Sequence, residues 1–357
     1  MPAMKHSSVA IIIVNWNGLE HLKLSLPSLE QLDYQLIKTY IVDNGSTDGS
    51  IAYIKKNYPK VVLIEAGQNL GFTGGNNVGM KAALAAQFEY LMLLNNDTKV
   101  SPDLVNQLVT FMNTDQHIGI AQPKLLLLDH PDRIDSCGSW LTRTGFLLHY
   151  GCEEKDQSAY NKIQPMFTVK GAAMIMRRTM LEQVGLLDND FFAYFEETDL
   201  CWRAWLAGWQ VYYAPVSTVY HKIGGSTKKI GSSVINYHSY KNRLMSMIKN
   251  LAWLNGLWMI PLHIVLMLGF SIIYFILLRG RSGWSIYRAI GWNIVHLPAN
   301  LAKRGQIQSA RVIADAELFK TIMRPIDWPE SLSFAARFFI QRKKSDLVAE
   351  GKWRERR

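Results

Sequence analysis

Two acidic clusters, one further aspartate and one histidine are the side chains in this chain that could do chemistry. The first cluster ends an apolar run, Tyr90-Leu91-Met92-Leu93-Leu94, with Asn95-Asn96-Asp97-Thr98. A run that short with a polar stop reads as a buried strand ending at a carboxylate, and open α/β sheets bind ligands outside the carboxyl ends of their strands. An aspartate there is often a turn former or helix cap, but Ser101-Pro102-Asp103 supplies the next helix start by itself. A carboxylate among amides suits a hard divalent cation that also takes oxygen from a bound phosphate.

The second cluster is Phe195-Glu196-Glu197-Thr198-Asp199-Leu200-Cys201-Trp202-Arg203, behind the aromatic run Phe191 to Phe195. Acids in a first helical turn are favoured by the macrodipole, and Asp199 with Arg203 is an i,i+4 pair, so helix stability alone accounts for Asp199 and one glutamate. Apolar surroundings would raise a carboxyl pKa and suit a general base. His221, in Tyr220-His221-Lys222-Ile223-Gly224-Gly225-Ser226, is a structural histidine or, with Asp97, a mixed nitrogen and oxygen site for Mg²⁺ or Mn²⁺. In Ile41-Val42-Asp43-Asn44-Gly45-Ser46-Thr47-Asp48-Gly49 the turn and helix cap need no ligand, whereas Asp43, closing a second strand, could hydrogen-bond a base or ribose. Asn69-Leu70-Gly71-Phe72-Thr73-Gly74-Gly75-Asn76-Asn77 precedes a helix and could wrap backbone N–H groups around an anion. It matches neither the P-loop nor the dinucleotide fingerprint, which counts against a kinase and a nicotinamide enzyme.

These residues need a scaffold that brings distant strand ends together. Strands are expected at Val9–Val14, Tyr40–Val42, Val61–Ile64, Tyr90–Leu94 and Ile118–Ala121, with helices near Leu19–Leu32, Asp48–Asn57, Asn76–Gln87 and Pro102–Met112 between them. That alternation implies right-handed crossovers and a mostly parallel, Rossmann-like α/β sheet flanked by helices. Beyond an irregular stretch at 126–166, Phe167–Met176 reads as a strand with Gly171-Ala172-Ala173 at its middle, where small side chains let something approach the backbone. Glu196–Leu206 reads as a helix and Val211–Tyr213 as a strand.

The formal net charge is +10, and residues 279–357 hold 16 Lys/Arg against 7 Asp/Glu, so the chain before them is near neutral. A neutral catalytic portion with a basic tail argues against a nucleic-acid enzyme and for a domain held to an anionic surface. The three cysteines, Cys137, Cys152 and Cys201, form neither a zinc motif nor a disulfide framework, which suits a reducing compartment. Val9–Val14 is too short for a signal-peptide core. Leu251–Leu278 is a stretch of 28 residues without Asp, Glu, Lys or Arg, long enough to cross a bilayer or to form a buried helix. Because the basic tail belongs on the cytoplasmic side, a hairpin with Trp284–Leu301 as second limb, or a monotopic insertion, is favoured over a single span. Pro329–Lys344 has the pattern of a basic amphipathic interfacial helix. The expected divisions are a catalytic domain over 1–250, a membrane-inserting segment over 251–301 and a basic tail over 302–357.

Val14-Asn15-Trp16-Asn17, Val42 to Gly49, Asn69-Leu70-Gly71-Phe72, Leu94-Asn95-Asn96-Asp97, Gly171-Ala172-Ala173, Phe195 to Arg203 and His221, in this order, resemble the family 2 glycosyltransferases, in particular the rhamnosyltransferase-like branch of bacterial surface-polysaccharide synthesis. The resemblance implies a GT-A fold and an inverting, metal-dependent sugar transfer. It implies that Asn15, Asp43, Asn69, Gly71, Phe72, Asn76, Asn96 and Asp97 bind the nucleotide sugar, Asp43 holding the base. Asp97 and His221 would hold Mg²⁺ or Mn²⁺, and Gly171, Ala172 and Trp202 would line the donor and acceptor pocket. Glu197 stands at the general-base position, with Glu196 and Asp199 as alternatives because that position more often carries Asp. Asn95 replaces the first acid of a strict DxD motif. The implied partners are a nucleotide-diphosphate donor, best matched by dTDP-rhamnose, a polyprenyl-diphosphate-linked saccharide acceptor and membrane lipids at the cytoplasmic face of a bacterial membrane.

Two other classes compete. A sugar-nucleotide pyrophosphorylase would carry a Gly-rich loop with Arg after the first strand, where this chain has Asn15-Trp16-Asn17-Gly18. A non-catalytic membrane scaffold would tolerate loss of Glu197 and Asp97.

Overall fold

The computed structural model describes residues 7–222, 231–325 and 351–353, so the amphipathic helix expected at Pro329–Lys344 lies outside the described residues. In chain order the elements are β1 (Val9–Asn15), α1 (Leu19–Leu29), β2 (Ile37–Asp43), α2 (Ser50–Asn57), β3 (Val62–Glu65), α3 (Gly71–Ala85), β4 (Tyr90–Leu94), β5 (Thr98–Val100), α4 (Leu104–Met112), β6 (Ile118–Leu127), β7 (His130–Ser136), β8 (Ser139–Leu141) and β9 (Leu147–Tyr150). They continue with β10 (Gln164–Pro165), β11 (Ala173–Arg177), α5 (Arg178–Val184), α6 (Glu196–Leu206), β12 (Gln210–His221), α7 (Ser232–Asn250), α8 (Trp253–Ile276), α9 (Gly280–Val295), α10 (Leu297–Ser309), α11 (Asp315–Ile322) and β13 (Gly351–Trp353).

β1 pairs in parallel with β2 and β4, and β2 pairs in parallel with β3, giving the order β3-β2-β1-β4. The chain winds outward from β1 and then returns to its other side. The carboxyl ends of β1 and β4 therefore flank a topological switch point, the place where such sheets bind ligands. Beyond β4 the sheet is mixed. β11 runs antiparallel between β4 and β6, and β12 runs parallel to β6 and antiparallel to β5 and β10. β11 is entered from a turn rather than a helical crossover, which is what a parallel strand would need.

β1 and β4 are buried on both faces, as their unbroken apolar sequence requires. Ala10, Ile12, Leu91 and Leu93 face Met80 and Ala83 of α3, while Val9, Ile11, Ile13 and Met92 pack with Leu22, Leu26, Ile54 and Leu104 from α1, α2 and α4. α3 comes unusually close to the sheet, since a Cβ at Gly79 would lie 2.5 Å from Ile12 Cγ2. This explains one departure from the sequence pattern. The glycine-rich stretch from Gly71 is the first turns of α3, not a loop before it.

Two other expectations are corrected. The strand expected over Phe167–Met176 is confined to β11, with Gly171 and Ala172 in the turn that feeds it. The strand expected over Val211–Tyr213 is the much longer β12, bent by an irregularity between Tyr213 and Thr218. The irregular 126–166 region contains β7, β8, β9 and β10. The C-terminal helices share the main core: Met247, Leu251, Met259, Leu318 and Ile322 cluster with Leu141, Trp202 and Trp205. The packing is therefore continuous across residue 250.

Candidate active site

The turn after β4 carries Asn95, Asn96 and Asp97 to the switch point. Asn96 Nδ2 donates to Asn15 Oδ1 at 2.8 Å, and Asn15 Nδ2 donates to Asp43 Oδ2 at 3.0 Å and Ser46 Oγ at 3.1 Å. Asp43 Oδ1 accepts from the Ser46 N–H at 2.8 Å. Asn15 and Asp43 are fully buried, so one polar chain ties the ends of β4, β1 and β2 together. Gly18 makes room for it: a Cβ there would lie 2.3 Å from Asn96 Nδ2 and 2.6 Å from Asn15 Oδ1.

β12 delivers the histidine. Its antiparallel register with β5 sets His221 opposite Thr98, the residue after Asp97. His221 Nε2 lies 3.2 Å from Asp97 Oδ1 and 3.4 Å from Asn95 Nδ2, and His221 Nδ1 donates to Asp135 Oδ2 at 2.9 Å. Asp135, on β7, is buried and also receives Lys170 Nζ at 2.6 Å. Burial works against a charge on His221, but the neighbouring Asp135 carboxylate, its hydrogen bond and Asp97 outweigh burial and raise the imidazole to about 9. Asp135 is held well below the usual carboxylate range, because Lys170 and His221 overcome its burial.

Asp97 Oδ1 is buried and receives no aligned hydrogen bond, although the imidazole is within ion-pair distance. Two neighbouring ligands of an octahedral hard cation, each about 2.1 Å from the ion, stand about 3 Å apart. The Asp97 and His221 atoms fit that spacing, and the Asp135 hydrogen bond leaves Nε2 as the outward nitrogen, the usual support of a metal-ligating histidine; a cation bound there would take the place of the Nε2 proton. Among the described residues no group of three or more His, Cys, Asp or Glu side chains is placed to hold a metal, so any further ligands would come from a bound phosphate and water.

Lys170-Gly171-Ala172 links this corner to the second acidic cluster. Lys170 contacts Asp135, the Ala172 carbonyl accepts the Asn95 N–H at 2.9 Å, and a Cβ on Gly171 would lie 3.4 Å from Phe72 Cζ and 3.7 Å from Glu197 Cβ. Gly171, Phe72 and Glu197 therefore meet beside the Asp97 corner. Glu197 is half-buried, whereas Glu196 is buried with Oε2 unpartnered. Burial first, and then the adjacent Glu197 charge with which it hydrogen-bonds, push the Glu196 carboxyl well up. The two carboxyls thus sit in unlike surroundings, Glu196 enclosed and disfavoured as an anion, Glu197 half-buried beside it.

The backbone leading into α6 is strained. Phe192, Tyr194 and Phe195 have φ of 64°, 69° and 72°. Carbonyls of this segment are gathered from α7: Asn242 Nδ2 donates to Phe191 O at 3.1 Å, Ala193 O at 2.8 Å and Tyr194 O at 2.6 Å. Arg243 stacks over the Phe195 ring, and Lys241 donates to Asp190 O.

Several expected site residues serve other ends. Asp199 is fully buried: Oδ2 accepts from Arg203, and Oδ1 accepts from Ser246 at 2.6 Å and Asn250 at 2.9 Å beside Lys249, so it joins α6 to α7. Trp202 is a core residue, fully buried edge-on against Phe167, and not a pocket wall. Asn76 Nδ2 donates to Phe72 O inside α3, and Asn69 Oδ1 accepts from the Gly71 N–H to start that helix. Gly71 is required there, since its φ is +73° and a Cβ would meet Phe192 O at 2.5 Å. Ala172 enters through its carbonyl alone. Asp135, Lys170 and Asn242 are additions to the site; the one hint of Asp135 in the sequence is that a buried histidine needs a partner. A cavity of about 550 Å³ lined by Tyr90, Arg177, Arg178 and Trp209 opens at the opposite ends of β4 and β11.

The chain is similar to several known proteins. The curated relatives include an N-acetylglucosaminyl-diphospho-decaprenol L-rhamnosyltransferase of Mycobacterium tuberculosis, 25% identical over 278 residues that cover 71% of this chain and 87% of that protein. They also include the dTDP-rhamnosyl transferase RfbF of Shigella flexneri, 22% identical over 69% of this chain and 81% of that one. Among solved structures, S. aureus TarS 1-349 in complex with UDP-GlcNAc superposes with a TM-score of 0.54 at 15% identity, covering 85% of this chain and 90% of the other. GalNAc-T7 with UDP, GalNAc and Mn²⁺ superposes at 0.53 and 16% identity, covering 69% of this chain and 48% of the other, and these likenesses speak to the fold. The family model described as glycosyltransferase like family 2 matches residues 6–238, which span the Asp97–His221–Asp135 corner and Glu197 and leave out the α7 residues Lys241, Asn242 and Arg243, and the chain belongs to that family.

Proposed function

We propose that this glycosyltransferase moves rhamnose, with inversion, from dTDP-rhamnose to a polyprenyl-diphosphate-linked saccharide at the cytoplasmic face of a bacterial membrane. The carrying observation is that Lys170-Gly171-Ala172 holds the Asp97–His221–Asp135 corner beside Glu197 and Phe72. The rhamnosyl transferases among the relatives support the choice of donor, and the lipid-diphosphate name of the mycobacterial one supports the acceptor.

The residues divide the work. Asp43, Asn15 and Asn96, tied together beneath the ends of β2, β1 and β4, would support the nucleotide there, Asp43 on the side of the base. Asp97 and His221 would hold Mg²⁺ or Mn²⁺, which when bound neutralises the leaving diphosphate as a Lewis acid. The acceptor hydroxyl gives its proton to Glu197 as it attacks, a contribution of about 10² to 10⁴ in rate. Burial and the Glu197 carboxylate push the Glu196 carboxyl up, which disfavours a second negative charge beside the base. Attack opposite the diphosphate inverts the anomeric carbon without a covalent enzyme intermediate.

A panel of nucleotide sugars offered to purified protein with a lipid-diphosphate saccharide, scored by released nucleotide diphosphate, tests the assignment. Turnover with dTDP-rhamnose above the others is the expected result. Preference for another donor would replace the sugar, and release of pyrophosphate from a nucleoside triphosphate would replace the reaction class.

A further inference from the structure

α8 has the length and apolarity of a membrane-spanning helix but is packed unlike one. Its 24 residues reach about 36 Å, enough for the hydrocarbon core. A spanning helix would carry its midpoint to the bilayer centre. Here the middle residue His263 is fully buried against the catalytic domain, its Nδ1 bonded to the Thr144 carbonyl at 2.7 Å. Phe146, from the same turn between β8 and β9, packs on the rings of His263 and Phe270. Gly145 permits this approach, with φ +79° and a Cβ position 2.7 Å from Met247 Sδ and 3.2 Å from His263 Nδ1. Met259, His263, Met267, Ser271 and Tyr274 form one buried stripe along the whole helix. α7, packed beside α8 and α9, buries Lys241, Asn242, Arg243 and Lys249, groups that hydrocarbon does not tolerate.

The other side of the hairpin is apolar and open. Leu254 is 80% exposed, Leu257 71%, Ile276 73% and Leu278 94%, and Ile294 and Val295 continue the surface on α9. The chemistry of the occupant follows from charge. Residues 251–314 contain six Lys/Arg and no Asp or Glu, with Arg279 and Arg281 at the turn joining α8 to α9. Exposed Trp253, Trp258 and Trp284 are the residue type that settles at headgroup depth.

We infer that the α8–α9 hairpin is a monotopic docking face, which lies along the catalytic domain and sinks only its outer side into one leaflet of an anionic bilayer. It rests on the membrane association proposed above and adds the topology. The domain is thereby fixed against the surface from which a polyprenyl-linked acceptor would present its sugar.

The test uses the full chain. Flotation with vesicles of equimolar phosphatidylethanolamine and phosphatidylglycerol, against pure phosphatidylcholine, should show binding to the anionic vesicles, weakened by salt and at least about tenfold by Leu254→Asp with Leu257→Asp, given the apolar area removed. Both substitutions lie at exposed positions, and an unchanged thermal midpoint confirms that the variant folds. Arg281→Cys, in sealed membrane vesicles with the catalytic domain outside, should react with a membrane-impermeant maleimide above the parental background. Protection of the Arg281→Cys thiol with flotation intact would overturn the monotopic topology and leave the membrane association standing. Absence of flotation, or self-association through this face in place of lipid binding, would overturn both.

Discussion

Replacing Asn242 with Asp preserves size and shape and removes the donor that gathers the loop leading to Glu196 and Glu197. Three carbonyls, of Phe191, Ala193 and Tyr194, share that one NH₂ group. A buried carbonyl left unsatisfied costs about 1–3 kcal/mol. Some of this is recovered as Phe192, Tyr194 and Phe195 relax from positive φ, which stores about 1–3 kcal/mol at each strained residue. A net destabilisation of about 3 kcal/mol is expected. With an unfolding entropy of roughly 2.1 cal/mol/K per residue over the 357-residue chain, that lowers Tm by about 4 °C. The effect on turnover is larger, because a relaxed loop no longer aims Glu197, and a displacement of about 1 Å costs about 10² in rate. Calorimetry gives the first number; released nucleotide diphosphate, with donor KM as the control, gives the second. Wild-type Tm together with kcat within about twofold of wild type would refute the idea that Asn242 sets this loop.

Asp199→Asn should destabilise by about 3–5 kcal/mol, since it takes the carboxylate from buried Arg203 and leaves buried Lys249 with Asp188 alone. Burial opposes ionisation of Asp199, but Lys249 and Arg203 prevail and hold its pKa below the ordinary carboxylate value, so its stabilisation is present above about pH 4 and is lost as pH falls through the folded value. Acid melting curves of wild type and Asp199→Asn should therefore converge at low pH; parallel curves would count against this. Gly18→Ala forces a Cβ onto the Asn15–Asn96 pair and should weaken donor binding about tenfold or more, read by calorimetric titration, although φ at this position is ordinary. Asp97→Ala should abolish transfer together with any stimulation by Mn²⁺; a variant still stimulated by Mn²⁺ would contradict the metal role.

The parallel half of the sheet is legible in the sequence because β1 and β4 are short apolar runs with polar stops, and helix α6 because of its acidic first turn and the Asp199–Arg203 pair. The mixed half is harder to read, since β8 and β10 are three and two residues long, β10 and β11 pair with strands distant in sequence, and the local β6–β7 and β8–β9 pairs carry no clean alternation. Asp97 and His221 are visible as separate groups, but their contact depends on the His221–Thr98 register, 123 positions apart in sequence. Asp135 lies in a stretch without periodicity and is defined only by His221 and Lys170. The glycines of α3 suggest a loop because propensity disfavours glycine in helices, whereas close packing on Val14 and Ile12 favours it. The resemblance places Trp202 at the pocket, but α6 is enclosed along almost its whole length, ten of its eleven residues being buried, and Trp202 lies in the core.

Glu197→Gln, assayed for sugar transfer and for donor affinity on the same preparation, puts the proposed chemistry to its sharpest test. Proton acceptance by Glu197 predicts transfer reduced by about 10² to 10⁴ with donor Kd within a few fold of wild type. Transfer at the wild-type rate would remove Glu197 from the reaction and contradict the catalytic assignment of this site.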